Sequence, residues 1–181
     1  FGKETYKYSQ VAEGIARYHI LFKEVGIAKG DKVALYARNS AEWVIAYYAT
    51  LTYGAVTVPF LPDFLASAVA ELSSFSECKL LIADDIAVKA FEESEDNYAV
   101  LDKVNGFVGV LNVKDISVVH ANGDTLANVR SKLDSLYNSQ YPSGLSPEMV
   151  NYYNDSFGLE DVAEISFTSG TTSATSKGVI L

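Results

Sequence analysis

Apolar residues recur at Val11, Ile15, Tyr18 and Phe22, the spacing of one helix face, and Gly26 stands where that pattern stops. Ser9 is expected to cap this helix, which runs to about Val25. The period then changes. After the turn Lys29-Gly30-Asp31, residues 32–37 form a short apolar run that predicts a strand. Residues 40–53 predict a buried helix with Ser40 at its N-cap and Gly54 at its close, followed by a strand over 56–60. A helix within 66–75, a strand over 79–83 and a short helix around 86–91 capped by Asp84 come next. Two further apolar runs cover 107–111 and 116–119. From Asp124 an amphipathic helix places Leu126, Val129, Leu133 and Leu136 inward and Arg130, Lys132 and Asp134 outward. Residues 141–154 read as a loop, and 163–167 as a buried strand. Alternating helices and near-continuous apolar strands predict an α/β fold, a mostly parallel sheet covered by helices on both faces.

Charge narrows the function. Fourteen basic against 23 acidic residues give a net charge of −9, which argues against nucleic acid and against an electrostatic membrane footprint. The acidic run Glu92-Glu93-Ser94-Glu95-Asp96 reads as a solvated loop, because a metal needs convergent rather than adjacent carboxylates. Residues 43–62 carry no charge over a length close to a bilayer span, but Gly54 and Pro59 interrupt them, so a buried helix and strand explain the run better. No transmembrane segment is expected, and peripheral membrane contact stays open.

The single cysteine, Cys78, excludes an internal disulfide and suits a reducing, cytoplasmic setting; its place in an apolar run marks it as a small buried hydrophobe. His19 flanks an inward stripe and His120 ends an apolar run without a metal-ligand partner, so neither is a catalytic candidate. Trp43, Tyr47 and Leu51 at helical spacing read as core, with an aromatic acyl pocket as the lesser alternative. The start shows no basic stretch with an apolar core, hence no signal peptide, and the missing initiating Met suggests a cut or processed chain.

The chemistry concentrates in the last segment. After the strand at 163–167 come Thr168, Ser169, Gly170, Thr171 and Thr172, then Ser173, Ala174, Thr175 and Ser176, then Lys177, Gly178 and a second apolar run. Such a loop can wrap phosphate: glycines let backbone N–H groups turn inward, hydroxyls donate, and Lys177 supplies positive charge. It is not a P-loop, which has Lys directly after Gly and then Ser or Thr opening a helix. Here the β-branched pair Val179-Ile180 follows, which predicts a flexible loop joining two strands.

At these residues the chain resembles the adenylate-forming (AMP-binding) superfamily, specifically its acyl-CoA synthetases, whose phosphate loop reads T-S-G-T-T-G-x-P-K-G-V. Thr168-Ser169-Gly170-Thr171-Thr172 and Lys177-Gly178-Val179 match. Ser173 stands where glycine is usual, no proline precedes Lys177, and there is one extra residue. Thr5-Tyr6-Lys7-Tyr8-Ser9, the stretch 26–35, Asn39-Ser40-Ala41-Glu42-Trp43 and the stretch 53–59 are similar to the start of those enzymes' large domain, whereas 85–160 match nothing distinctive. Residues 41–46 and 51–59 look most similar to long-chain fatty acid–CoA ligases.

The resemblance implies the N-terminal lobe of the large domain, with residues 1–181 a partial domain ending just after the phosphate loop at 168–178. It implies an enzyme that activates a carboxylic acid with ATP and Mg2+, releases pyrophosphate and transfers the acyl group to coenzyme A. Thr168, Ser169, Gly170, Thr171, Thr172, Lys177 and Gly178 would bind the ATP phosphates, and Lys177 would be catalytic. No metal ligand is assigned to this chain. The family's adenine and ribose contacts, magnesium glutamate and C-terminal lysine lie beyond the loop, so the 181-residue chain is expected to be inactive alone. Three alternatives remain: an adenylation domain loading a carrier protein, a ligase for short or aromatic acids, and a non-catalytic relative that binds nucleotide or a partner.

Overall fold

The computed structural model describes residues 5–94, 98–146, 149, 158, 160–168 and 177–180. Helix α1 (Tyr8–Val25) begins one residue before Ser9, which is therefore inside the helix and does not cap it. Lys7 is the N-cap, and its N–H donates to the Gln10 side chain at 2.9 Å. Gly26 ends the helix in the left-handed region (φ 85°), and Ile27 N–H closes back on Phe22 O at 2.9 Å.

Strand β1 (Lys32–Tyr36) leads to α2 (Ala41–Tyr53), where Ser40 Oγ accepts from Trp43 N–H at 3.0 Å. Then follow β2 (Val56–Phe60), α3 (Ala66–Phe75), β3 (Cys78–Ala83) and α4 (Asp85–Glu92). A 3-10 turn (Leu101–Lys103) precedes β4 (Gly109–Asn112), β5 (Val118–Ala121) and α5 (Thr125–Gln140).

The main sheet has the order β2-β1-β3-β4-β5. β1 runs parallel to β2 and β3, and β3 parallel to β4; β5 is antiparallel at one edge. Strand alternation explains the unbroken apolar runs. Val33, Leu35, Leu80, Ile82 and Leu111 face a layer holding Ala46, Ala49, Leu126 and Leu133 of α2 and α5, with Phe22 of α1. Ala34, Tyr36, Leu81, Ala83 and Val110 face the opposite layer with Val69, Ala70, Ala87 and Phe91 of α3 and α4. Both faces are buried, so every strand residue can be apolar. The uncharged run at 43–62 divides between α2 and β2, and among the described residues no helix is long and apolar enough to cross a membrane.

The sequence places β4 and β5 about two residues early. Gly109 adopts φ 141° against the β5 backbone, and Ile116 turns the chain at φ 58°. In α5, Leu126 and Leu133 are buried, Val129 and Leu136 are half-buried, and Tyr137 joins the core as well. Arg130 does not simply face outward: its guanidinium donates to Ile116 O at 2.8 Å and Asp115 O at 3.2 Å. The acidic run is split, with Glu92 ending α4, Glu93 at its C-cap and residues 95–97 outside the described residues.

Candidate functional site

Strands β6 (Ile165–Thr168) and β7 (Lys177–Ile180) form a separate two-stranded antiparallel sheet, paired Ile165↔Ile180, Ser166↔Val179, Phe167↔Gly178 and Thr168↔Lys177. The strand–loop–strand arrangement expected from Val179-Ile180 is present. Thr168 and Lys177 become cross-strand neighbours, so the ends of the intervening loop are pinned together by the ladder. A loop with fixed, adjacent ends loses less entropy on ordering around an anion than one with free ends. Ser169, Gly170, Thr171 and Thr172 lie outside the described residues, and Thr168, Lys177 and Gly178 are described through their backbone alone.

The hairpin joins the body at β2, one of the two outer strands of the main sheet. Thr57 N–H donates to Ala163 O at 3.1 Å, and Thr57 forms one parallel bridge with Glu164. Phe167 is buried and stacks on Phe60 with ring centroids 5.9 Å apart and planes 1° from parallel. Tyr47 of α2 donates its hydroxyl to Glu164 Oε2 at 2.8 Å, and Ser166 Oγ bonds the other carboxylate oxygen. Burial first, and the Glu164 carboxylate second, push the Tyr47 hydroxyl up to about 12, so it stays a donor at any physiological pH. Trp43 stacks on Tyr47 at 5.0 Å. Before the strand, Lys29 Nζ lies 2.7 Å from Asp161, and the bonds from Lys29 and from Gly158 N–H hold that carboxyl below its usual range.

Ligands of open parallel sheets enter at the carboxyl ends of the strands, where the strand order reverses. At that place, beyond the ends of β1 and β3, Asp84 bonds both α4 and Arg38. Asp84 Oδ1 caps α4 by accepting from Ile86 N–H at 3.0 Å and Ala87 N–H at 2.9 Å. Its Oδ2 accepts from Arg38 N–H at 3.0 Å and Arg38 Nε at 3.3 Å. Burial alone would raise the Asp84 carboxyl; these N–H groups and the guanidinium outweigh it and hold the group below the ordinary aspartate range. A cleft of about 280 Å³ between α1 and α2 includes Glu13, Arg17, Tyr18 and Glu42. Arg17 bonds Glu13 and Asp134, and Glu42 bonds Tyr6, so these three charges are satisfied within the fold.

The two histidines and the cysteine are each packed against other parts of the fold. His19 Nε2 lies 3.1 Å from Ala49 O and 3.0 Å from Thr52 Oγ1, and burial lowers its pKa. His120 pairs with Asp102 at 2.7 Å and stacks on Tyr98 at 4.5 Å. Cys78 is fully buried, and burial pushes its thiol up to about 12. Among the described residues no group of three or more His, Cys, Asp or Glu side chains is placed to hold a metal ion. Glu164 and the Tyr47 hydroxyl carry no signal in the sequence as partners, because no local pattern links positions so far apart.

The chain's similarity to known proteins is consistent along its length. A family model described as AMP-binding enzyme matches residues 1–181. A crotonobetaine/carnitine–CoA ligase of Salmonella agona is 29% identical over 177 residues, covering 97% of this chain and 30% of that protein. The chain thus spans about 30% of the length of the curated relatives it matches. The inhibitor-bound N-terminal domain of FACL13 from Mycobacterium tuberculosis superposes with a TM-score of 0.63 at 25% identity, over 97% of this chain and 37% of that one. Apo MatB from Rhodopseudomonas palustris superposes with a TM-score of 0.64 at 21% identity, over 98% and 30% of the two chains, and shares the fold.

Proposed function

The chain belongs to the AMP-binding enzyme family, and from that premise we propose that it is the N-terminal lobe of an ATP-dependent acid–CoA ligase. The carboxylate of the acid attacks the α-phosphate of ATP, pyrophosphate leaves, and the thiol of coenzyme A displaces AMP from the acyl-adenylate. The observation that carries this reading is the antiparallel pairing of Thr168 with Lys177, which returns a Ser/Thr/Gly loop to a strand. The name of the Salmonella relative supports coenzyme A as the acceptor.

In this reading the loop holds the departing pyrophosphate. Ser169 and Gly170 offer backbone N–H groups, Thr168, Thr171 and Thr172 add hydroxyls, Gly178 lets the backbone approach, and Lys177 neutralises developing charge. Preoriented donors matter because charge builds up only as the bond breaks, and a group already in place needs no reorganisation then. Magnesium would offset phosphate charge when bound; no residue of this chain is assigned to it. The acid is proposed to be a long-chain fatty acid, on the likeness of residues 41–46 and 51–59 to such ligases. The partners are then small molecules, in a cytoplasmic setting, and the 181-residue chain alone does not complete adenylation.

Incubating the full-length protein with ATP, Mg2+, coenzyme A and carboxylic acids of graded length tests this. Acyl-CoA and AMP appearing together, best with long chains, is the expected result; ADP release, or no acyl-CoA from any acid, contradicts it. Ser173, the missing proline and the extra loop residue favour one second reading, a non-catalytic relative, which would bind ATP without releasing pyrophosphate.

A further inference from the structure

A two-stranded ribbon is marginal by itself, and β6–β7 meets the main sheet at one backbone bridge, Thr57↔Glu164, among the described residues. A single bridge by itself does little to fix the ribbon's rotation about it. Two side-chain contacts oppose that rotation. Phe167 stacks on Phe60 of β2, and Glu164 reaches across to α2. By strand alternation Glu164 and Ser166 lie on the face opposite Phe167, so the two contacts grip the ribbon from opposite sides.

We propose that Glu164 is a positioning residue for the phosphate loop, joining α2 to β6 through Tyr47 and Ser166. This rests on the function proposed above. Both carboxylate oxygens are engaged, Oε2 by the Tyr47 hydroxyl at 2.8 Å and Oε1 by Ser166 Oγ. Tyr47 is held in turn by its stack on Trp43, and Trp43 sits in the first turn of α2, where its N–H is fixed by the Ser40 cap. The line Ser40–Trp43–Tyr47–Glu164 therefore carries the placement of the helix after β1 to the strand that enters the loop. Glu164 is four residues before Thr168, so a pivot of the ribbon about the bridge displaces the loop's first residue. No other described acidic side chain is bonded to β6.

The two half-reactions separate positioning from folding, because the loop serves adenylation and is not needed once acyl-adenylate is supplied. In the full-length protein, Tyr47→Phe and Glu164→Ala are expected to raise KM for ATP in pyrophosphate exchange roughly tenfold, the scale of one hydrogen bond to a charged acceptor. Transfer from supplied acyl-adenylate to coenzyme A stays at the wild-type rate. Glu164→Gln keeps an acceptor for Tyr47 and restores most of the exchange. Wild-type exchange in Tyr47→Phe and Glu164→Ala overturns the inference, and so do equal losses in both half-reactions, which mark a folding defect. A wild-type protein with no exchange overturns the proposed function itself, and this inference with it.

Discussion

Replacing Asp84 with alanine removes the cap of α4 and the acceptor for Arg38 N–H in one step. The cap serves two backbone donors, Ile86 and Ala87, and losing an N-cap costs about 1 kcal/mol. Arg38 N–H, bonded to Oδ2 at 3.0 Å, loses a charged acceptor, which adds about 1.5 kcal/mol. The Asp84 side chain is 17% exposed, so water replaces little of either bond. The sum is about 2–3 kcal/mol, whereas Asp84→Asn keeps a capping oxygen and loses about half as much. Urea unfolding measures it: the midpoint falls in both variants at constant slope. Because the folded Asp84 carboxyl lies below its usual range, its contribution is complete above the ordinary aspartate pKa of about 3.9 and is lost as pH falls through the lower folded value. The gap between wild type and Asp84→Asn therefore closes below about pH 4. Both variants lying within about 0.5 kcal/mol of wild type at pH 7 would show that Asp84 does not stabilise α4 and Arg38 in this way.

Gly109 has φ 141°, and a Cβ there would lie 2.2 Å from His120 O, so Gly109→Ala is expected to cost about 3 kcal/mol or more in urea unfolding; a cost under about 1 kcal/mol contradicts the packing described. Burial lowers the His19 pKa, so the unfolded chain binds the proton first, and this contribution is complete above about pH 6.5 and fades as pH falls toward the folded value. His19→Gln should flatten the loss of stability between about pH 7 and pH 5, and an unchanged slope contradicts it.

What was legible in the sequence depended on how local the determining forces are. β2 and α3 have the ends the pattern predicts, because the change of period after Gly54 marks the strand and the return of helical spacing marks the helix, each within a few residues. α1 begins at Tyr8 because the Gln10 side chain satisfies Lys7 N–H, an arrangement that competes with a Ser9 cap and leaves no distinct composition signal. β4 and β5 shifted because their register follows from the close approach of Gly109 to β5, a contact between strands. Arg130 read as outward from period alone, yet the carbonyls of Asp115 and Ile116 draw it in.

The candidate site divides the same way. Thr168 and Lys177 were readable as the two ends of one loop, and the ladder pairs them. Tyr47 was readable only as a helix-face aromatic. That its hydroxyl meets Glu164, 117 positions away, depends on how the hairpin packs against β2, and no window of sequence contains that information.

The role of the 168–178 loop in acid activation is measured most directly by ATP–pyrophosphate exchange in the full-length protein, run with fatty acids of several lengths beside Lys177→Ala. Exchange with long-chain acids is expected, falling at least roughly a hundredfold in the variant, the scale of one lost group that stabilises transition-state charge. Exchange that survives Lys177→Ala unchanged, or its absence with every acid in a folded wild-type protein, would contradict the claim that this loop serves acid activation.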